Sequence, residues 1–359
     1  MKLFILSFLS TFIYCTACAQ DNDTWTAFWN KDTTLIGFKD KNGIVKIEPK
    51  FTGYISARKF ENIIAATEET NSNWESYYLT KSGRIIGRDS LHIFDNGPDC
   101  ESEGFIRFTD HKTDKVGMFN RNGDIAVPAG YNDLTRVRNG MIVALKGAEK
   151  RYFGEHYSWV GGKEILIDTN NNLLIDSFKY DTNINFFSLL VSQQPNPDPI
   201  RQNFKTIKGQ YFSFINFEKE FQTWLKSMLL NNLTKENLLN ASYNEITFWK
   251  EPNGWTSEPK GSFMDKNFEL IKAKLLQLNF EACDYNIFSD GLNPYIYESE
   301  EYKGFFNNCG EPKDWIHPVK SIVISYNDKK DLIQDHIEFL RTNDGFKLIA
   351  VIIRKGKIK

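Results

Sequence analysis

Four turn positions, Gly43, Gly83, Gly123 and Asn171, recur at intervals of 40, 40 and 48 residues. This spacing restricts the fold more than any other feature of the chain. Each turn sits between two short apolar runs, as in Lys115-Val116-Gly117-Met118-Phe119-Asn120 before Gly123 and Ile125 and Val127 after it. Glycine, or Asn171 in its place, tolerates the positive φ that a tight connection between paired strands requires. Apolar residues two and four positions after the turn alternate as a half-buried strand does. A period near 40 residues with several strands per unit predicts a β-rich repeat array over 20–192, either stacked or propeller-like.

The units share more than their turns. Gly37-Phe38-Lys39-Asp40-Lys41-Asn42-Gly43 leads to Val45, Ile47, Pro49 and Phe51; Lys115 to Gly123 leads to Ile125, Val127, Pro128 and Tyr131. Tyr77 to Gly83 leads to Ile85 and Leu91 without the proline, and Ile165 to Asn171 leads to Leu173 and Ile175 without proline or aromatic. These residues resemble the WG-repeat family, whose units run glycine, aromatic, apolar, Asp or Asn, two residues and glycine, then apolar residues, proline and an aromatic. The resemblance covers about half the chain. It implies an interaction platform and brings no catalytic residues with it.

The N-terminus has the order of an export signal over residues 1–19. Lys2 is followed by the almost wholly apolar stretch Leu3 to Tyr14, too short to span a bilayer, and then by Ala17-Cys18-Ala19. Cleavage after Ala19 predicts a soluble exported protein, periplasmic or extracellular. Thr16-Ala17-Cys18 also resembles part of a lipobox, with Cys15 where leucine is usual. Acylation at Cys18 is therefore the alternative, and it would tether the chain to a membrane. Beyond residue 19 three cysteines remain, and an oxidising compartment permits a disulfide. Cys283 and Cys309, in the same half, form the expected pair, which leaves Cys100 as a buried thiol.

Pro195, Pro197 and Pro199 alternate with polar residues, which predicts an extended linker over 193–202. The remainder, 203–359, reads as α+β. Phe217, Phe221, Trp224, Leu225 and Met228 fall at helical spacing, Thr234 begins a second helix, and Phe268, Ile271, Leu275 and Leu278 mark a third. Strands are predicted at 319–326, 335–342 and 346–353, the last two flanking Asn343-Asp344-Gly345. Helices followed by this closing hairpin are similar to the nuclear-transport-factor-like (cystatin-like) cone, a fold that does not by itself decide function.

Little in the sequence points to chemistry. With 44 basic and 46 acidic residues, neither half is a basic surface, which argues against nucleic acid as the main partner. The oxygen-rich run Asp168 to Asn172 lacks the glycine and glutamate of a calcium loop. Gly161-Gly162-Lys163 lacks the first glycine and the hydroxyl of a phosphate-binding loop, where Tyr157 and Glu164 stand. No metal site, cofactor or catalytic residue is assigned. His336 and Glu338 share one strand face, expected to be the solvent face. Trp249, Trp255 and Trp315 lie in aromatic loops expected to pack against the helices. The function these readings imply is an exported, non-enzymatic binding protein of the cell envelope, with a protein or an envelope polymer as partner. The alternative gives the 203–359 domain a ligand-binding or hydrolytic role, with the repeats as a spacer.

Overall fold

The computed structural model describes residues 23–70, 73–94, 97–327 and 332–358, and the chain is strand-rich throughout. Residues 1–22, where the leader and the acylation at Cys18 are expected, lie outside the described residues. No described helix is long and apolar enough to cross a membrane.

Three antiparallel strands form the centre of each of the first four units; the first two units are joined edge to edge in one seven-stranded sheet through Phe51↔Glu68, and Asp133–Leu134 adds a fourth strand to the fourth unit. The central strands are Trp25–Trp29, Ile36–Lys39 and Val45–Phe51; Ile63–Thr70, Asn73–Thr80 and Ile85–Ile86; Phe105–Asp110, Lys115–Asn120 and Ile125–Tyr131; and Met141–Phe153, His156–Asp168 and Leu173–Ile175. Gly43, Gly83, Gly123 and Asn171 all take positive φ, between 63° and 88°. Their turns share two backbone bonds; in the third unit Gly123 N–H donates to Asn120 O and Asn120 N–H donates to Asp124 O, each at 2.9 Å. The residue three before the turn position adds its side chain. Oδ1 of Asp40, of Asn120 and of Asp168 each accepts two backbone N–H groups, from the residues two and four further on. Threonine does half of this at position 80, where its hydroxyl accepts from Arg84 N–H at 3.0 Å. An Asx side chain that saves the turn from unpaired donors explains why Asp and Asn recur there.

A fifth unit follows. Ile184–Ser192, Arg201–Lys205 and Tyr211–Asn216 form one sheet with Tyr211–Asn216 in the middle. Its turn has Gly209 at φ 82°, with Gly209 N–H on Thr206 O (3.0 Å) and Thr206 N–H on Gln210 O (2.8 Å). The proline-rich segment 193–202, expected to link two domains, therefore joins two strands of a single sheet. Asn203 pins it through both amide atoms, accepting from Asn196 N–H at 2.8 Å and donating to Asn196 O at 2.9 Å. The change to helix comes later, at Asn216, whose side chain caps the next element by accepting from Glu218 and Lys219 N–H.

Adjacent units pack through alternate faces of their strands. Ile64 and Ala66 belong to a cluster with Phe38 and Phe51 of the first unit, whereas Ile63 and Ala65 join Ile106 and Phe119 of the third. Ile142 and Ala144 face the third unit with Val116 and Val127; Met141 and Val143 face the fifth with Ile184 and Phe214. Strand side chains alternate between the two faces, so the second, third and fourth units each bury one face against the unit before and one against the unit after. This is how short strands that cannot form a core alone become stable in series.

The rest of the chain builds a six-stranded sheet in the order Gly254–Pro259, Ser242–Lys250, Gly345–Ile352, Leu332–Thr342, Val319–Asn327, Asp284–Asp290. Only the pair Ser242–Lys250 and Gly345–Ile352 is parallel. Helices α1 (Phe217–Trp224), α2 (Lys235–Asn240) and α3 (Lys260–Gln277) fill one face. There Phe221, Leu238, Ile271 and Leu275 meet Ile322, Ile337 and Phe339. After Trp224 the helix widens into a π-helical turn, Leu225–Leu229, which turns Met228 out to solvent. Lys274 of α3 and Asp335 of the sheet form a buried ion pair at 2.6 Å.

The sheet's second face is covered too, by Leu292, Tyr297 and Tyr302 packed on Val319, Leu340 and Ile349. Glu338 lies on this side and does not reach solvent freely as expected from the sequence. Burial, with a smaller contribution from Asp290, pushes its carboxyl up to about 6. His336 is half-buried, and burial lowers its pKa.

Cysteine pairing differs from expectation. Cys309 is bonded to Cys100, 209 residues away, and Cys283 keeps a free thiol packed beside the helical core. The reason is the loop around Cys309, which leaves its own half of the chain and docks on the array. Asn308 O accepts from both Arg58 and Lys59 N–H, at 2.8 and 2.9 Å, and Asn308 Nδ2 donates to Glu61 at 2.8 Å. Gly310 lies so close to Arg58 that a Cβ there would sit 2.6 Å from the guanidinium.

Candidate functional site

Two features of the array stand out for what they offer a partner. The first is the hairpin of the fourth unit. Its strands, Met141–Phe153 and His156–Asp168, are longer than those of any other unit and pair without interruption from Met141↔Asp168 to Phe153↔His156, apart from the position of Gly147 and Gly162. Near the base, Ile142, Ala144, Leu166 and Ile167 are buried in the array. A Cβ on Gly162 would lie 2.8 Å from Ala148, so the two strands approach closely only because a glycine stands there. Beyond that point residues 149–160 form a ribbon whose side chains face water except for the half-buried Lys150 and Trp159. Tyr152 is 66% exposed, Phe153 60% and Tyr157 47%.

This arm is held at its root. Lys150 Nζ pairs with Asp114 of the third unit at 2.5 Å and lies 4.0 Å from the Tyr157 ring centroid and 5.2 Å from that of Trp159. Tyr152 and Tyr157 pack against each other across the ribbon, centroids 5.9 Å apart. A continuously paired hairpin with tyrosine and phenylalanine towards its tip has the residue types that supply large contact area at interfaces for little lost conformational entropy. Unpaired backbone groups along its edges add the means to receive another strand.

The second feature is the seam where the Cys309 loop meets the array. Asp99 is fully buried between two arginines. Arg107 binds it in a fork, at 2.7 and 3.0 Å, and Arg136 Nε adds a third contact at 2.9 Å. Burial alone would raise the Asp99 carboxyl; the two guanidiniums outweigh it and hold the group well below the usual carboxylate range. Arg136 extends the chain of charges to Glu311 of the docked loop. Beside this network is a cleft of about 260 Å³ lined by Ser102, Arg138, Pro312 and Trp315. Arg138 lies 5.3 Å over the Trp315 ring and donates to the Tyr180 hydroxyl at 2.9 Å, while its Nε has no partner among the described residues. The seam clamps two distant parts of the chain together.

Residues with chemical potential are otherwise dispersed. His92 is half-buried, with a pKa lowered to about 4 chiefly by burial of its ring, and its Nδ1 lies 3.0 Å from Thr109 Oγ1. His317 Nδ1 lies 3.0 Å from Arg341 O. No group of three or more His, Cys, Asp or Glu side chains placed to hold a metal ion occurs among the described residues. Trp249 and Trp255 face each other across a hairpin, centroids 5.6 Å apart, and Trp315 packs on the array through Arg138 rather than on the helices.

The sequence singled out the turn positions but not the arm, the fifth turn at Gly209 or the Asp99 network. A partial signal for the arm was present, since the 48-residue interval before Asn171 exceeds the other two by eight residues. No family model, curated protein or solved structure matches this chain.

Proposed function

We propose that this chain is an exported, non-catalytic binding protein of the cell envelope, and that its WG-like array holds a protein or polymer partner through the aromatic arm at 149–160. The observation that carries the reading is the exposure of Tyr152, Phe153 and Tyr157 on a ribbon whose base is buried and ion-paired. Apolar rings kept in water towards the end of a paired hairpin are costly unless they meet a partner. In this reading the five units form an open series, and 217–359 is an attached α+β cone. The Cys100–Cys309 bond supports export, because disulfides persist in oxidising compartments. Lipidation at Cys18 is the variant of the reading in which the same protein is membrane-tethered.

The alternative, a binding or hydrolytic role for the C-terminal part, has less support. Both faces of its sheet are covered by packed side chains, and its polar-lined cleft of about 580 Å³, with Tyr243, Lys260, Glu301 and His317 in the lining, lies at the end of the sheet beside the 343–344 turn. A photo-reactive residue placed at Phe153 of the full chain, expressed in its native envelope, tests the proposal. A discrete cross-linked partner is expected from position 153 and none from Met228, which is 68% exposed on the helical side. Cross-links from Met228 alone would reverse the assignment.

A further inference from the structure

A cleft of about 610 Å³ opens in the first two repeat units, with Tyr54, Trp74, Thr34, Thr52 and Glu69 in its lining. Ligand sites usually enclose about 300–1,000 Å³. The Tyr54 and Trp74 rings cross at 82° with centroids 6.1 Å apart, yet the residues are 66% and 58% exposed. Trp29, 51% exposed, stands beside Gly53, its ring 3.8 Å from where a Cβ would be. Phe38, Phe51, Phe60 and Tyr77 of the same units are completely buried, so the exposure is particular to this place.

An unmet polar group lies beside the cleft. Thr52 is only 7% exposed, and its hydroxyl has no hydrogen-bond partner among the described residues. That oxygen is sealed from the cleft, so the polar contact open to a ligand is the exposed Glu69 carboxylate. The Glu69 carboxylate in the lining accepts hydrogen bonds and repels anions. The complementary ligand therefore has a flat C–H face for the rings, several hydroxyls, and no negative charge.

We propose that this cleft binds neutral hexose units of a polysaccharide. The pyranose ring lies against Trp74 and Tyr54, with its hydroxyls on the Glu69 carboxylate. The site is separate from the arm and does not rest on the arm's role.

Calorimetric titration of the full mature chain with the hexaoses of glucose, N-acetylglucosamine and mannose tests it. Saturable binding of at least one, with Kd below about 1 mM, is expected. Trp74→Ala and Tyr54→Ala each weaken that binding at least about tenfold. Glu69→Gln, which keeps the shape and removes the charge, weakens it severalfold, while Phe153→Ala leaves it unchanged. Circular dichroism that matches the native chain shows each variant to be folded, as expected for exposed rings. No heat with any of the three hexaoses, or native-like affinity in folded Trp74→Ala, overturns the proposal. Loss of partner capture in Phe153→Ala with sugar binding intact separates the failure of one site from that of the other.

Discussion

Replacing Cys100 and Cys309 together by alanine probes how the two halves are held. The bond joins residues 209 apart, so the unfolded chain carries a very large closed loop. On the chain-entropy relation a loop of that length restrains the unfolded state by about 5 kcal/mol, and native disulfides more often contribute about 2–4 kcal/mol. The folded state should change little, because the loop keeps its Asn308 bonds to Arg58 and Lys59 and the pairing of Glu311 with Arg136. Almost the whole effect then arises in the unfolded chain. Urea unfolding of the oxidised protein and the double variant, followed by tryptophan fluorescence, should give a stability lower by about 2–5 kcal/mol for the variant. Alkylation under denaturing, non-reducing conditions should label Cys283 and spare Cys100 and Cys309. Equal stabilities, or labelled Cys100 with protected Cys283, would refute the pairing and the docking of the loop that depends on it.

Other substitutions test separate parts of the fold. Glu338→Gln should stabilise the protein by up to about 2 kcal/mol at pH 7 and by nothing at pH 4. The folded carboxyl titrates near 6 against an ordinary 4.5, so the folded state holds the proton more tightly and loses stability as pH rises through that window. Denaturation at both pH values reads the difference. Asp99→Asn leaves Arg107 and Arg136 without their buried counter-charge and should cost about 3–5 kcal/mol in urea unfolding. Lys274→Met should cost a similar amount through Asp335, and a second change of Asp335 to leucine should restore most of it. Gly209→Ala should cost about 1 kcal/mol because of its positive φ, whereas Gly261→Ala, in α3 with open space around it, should stabilise by up to about 1 kcal/mol; thermal melts distinguish the two.

How much of this could be read in the sequence follows from whether the physics is local. The turns at Gly43, Gly83, Gly123 and Asn171 were legible because an Asx or Thr side chain and a residue that tolerates positive φ lie within four positions of each other. The 343–344 hairpin and the face of α3 carrying Ile271 and Leu275 were legible for the same reason. Proline alternation at 195–199 was ambiguous, since extended unpaired backbone serves equally in a linker and in a long connection between strands. What decides between them is Asn203 gripping Asn196, a contact across the loop. Gly209 went unnoticed because it follows that segment. The partner of Cys309 depended on where a loop over 200 residues away would dock, and the surroundings of Glu338 depended on residues 291–306 folding back over the sheet. Alternation along a strand tells which residues share a face, not what covers it.

The central claim is that the array binds through its arm, and the most direct measurement is partner recovery with the arm's aromatics removed. The full chain and its Tyr152→Ser, Phe153→Ser, Tyr157→Ser variant would be isolated side by side from the native envelope and their bound material quantified. All three side chains are solvent-exposed, so the variant should keep the native melting temperature and lose at least about nine-tenths of the bound partner. Undiminished recovery by a variant that melts like the native chain would contradict the account.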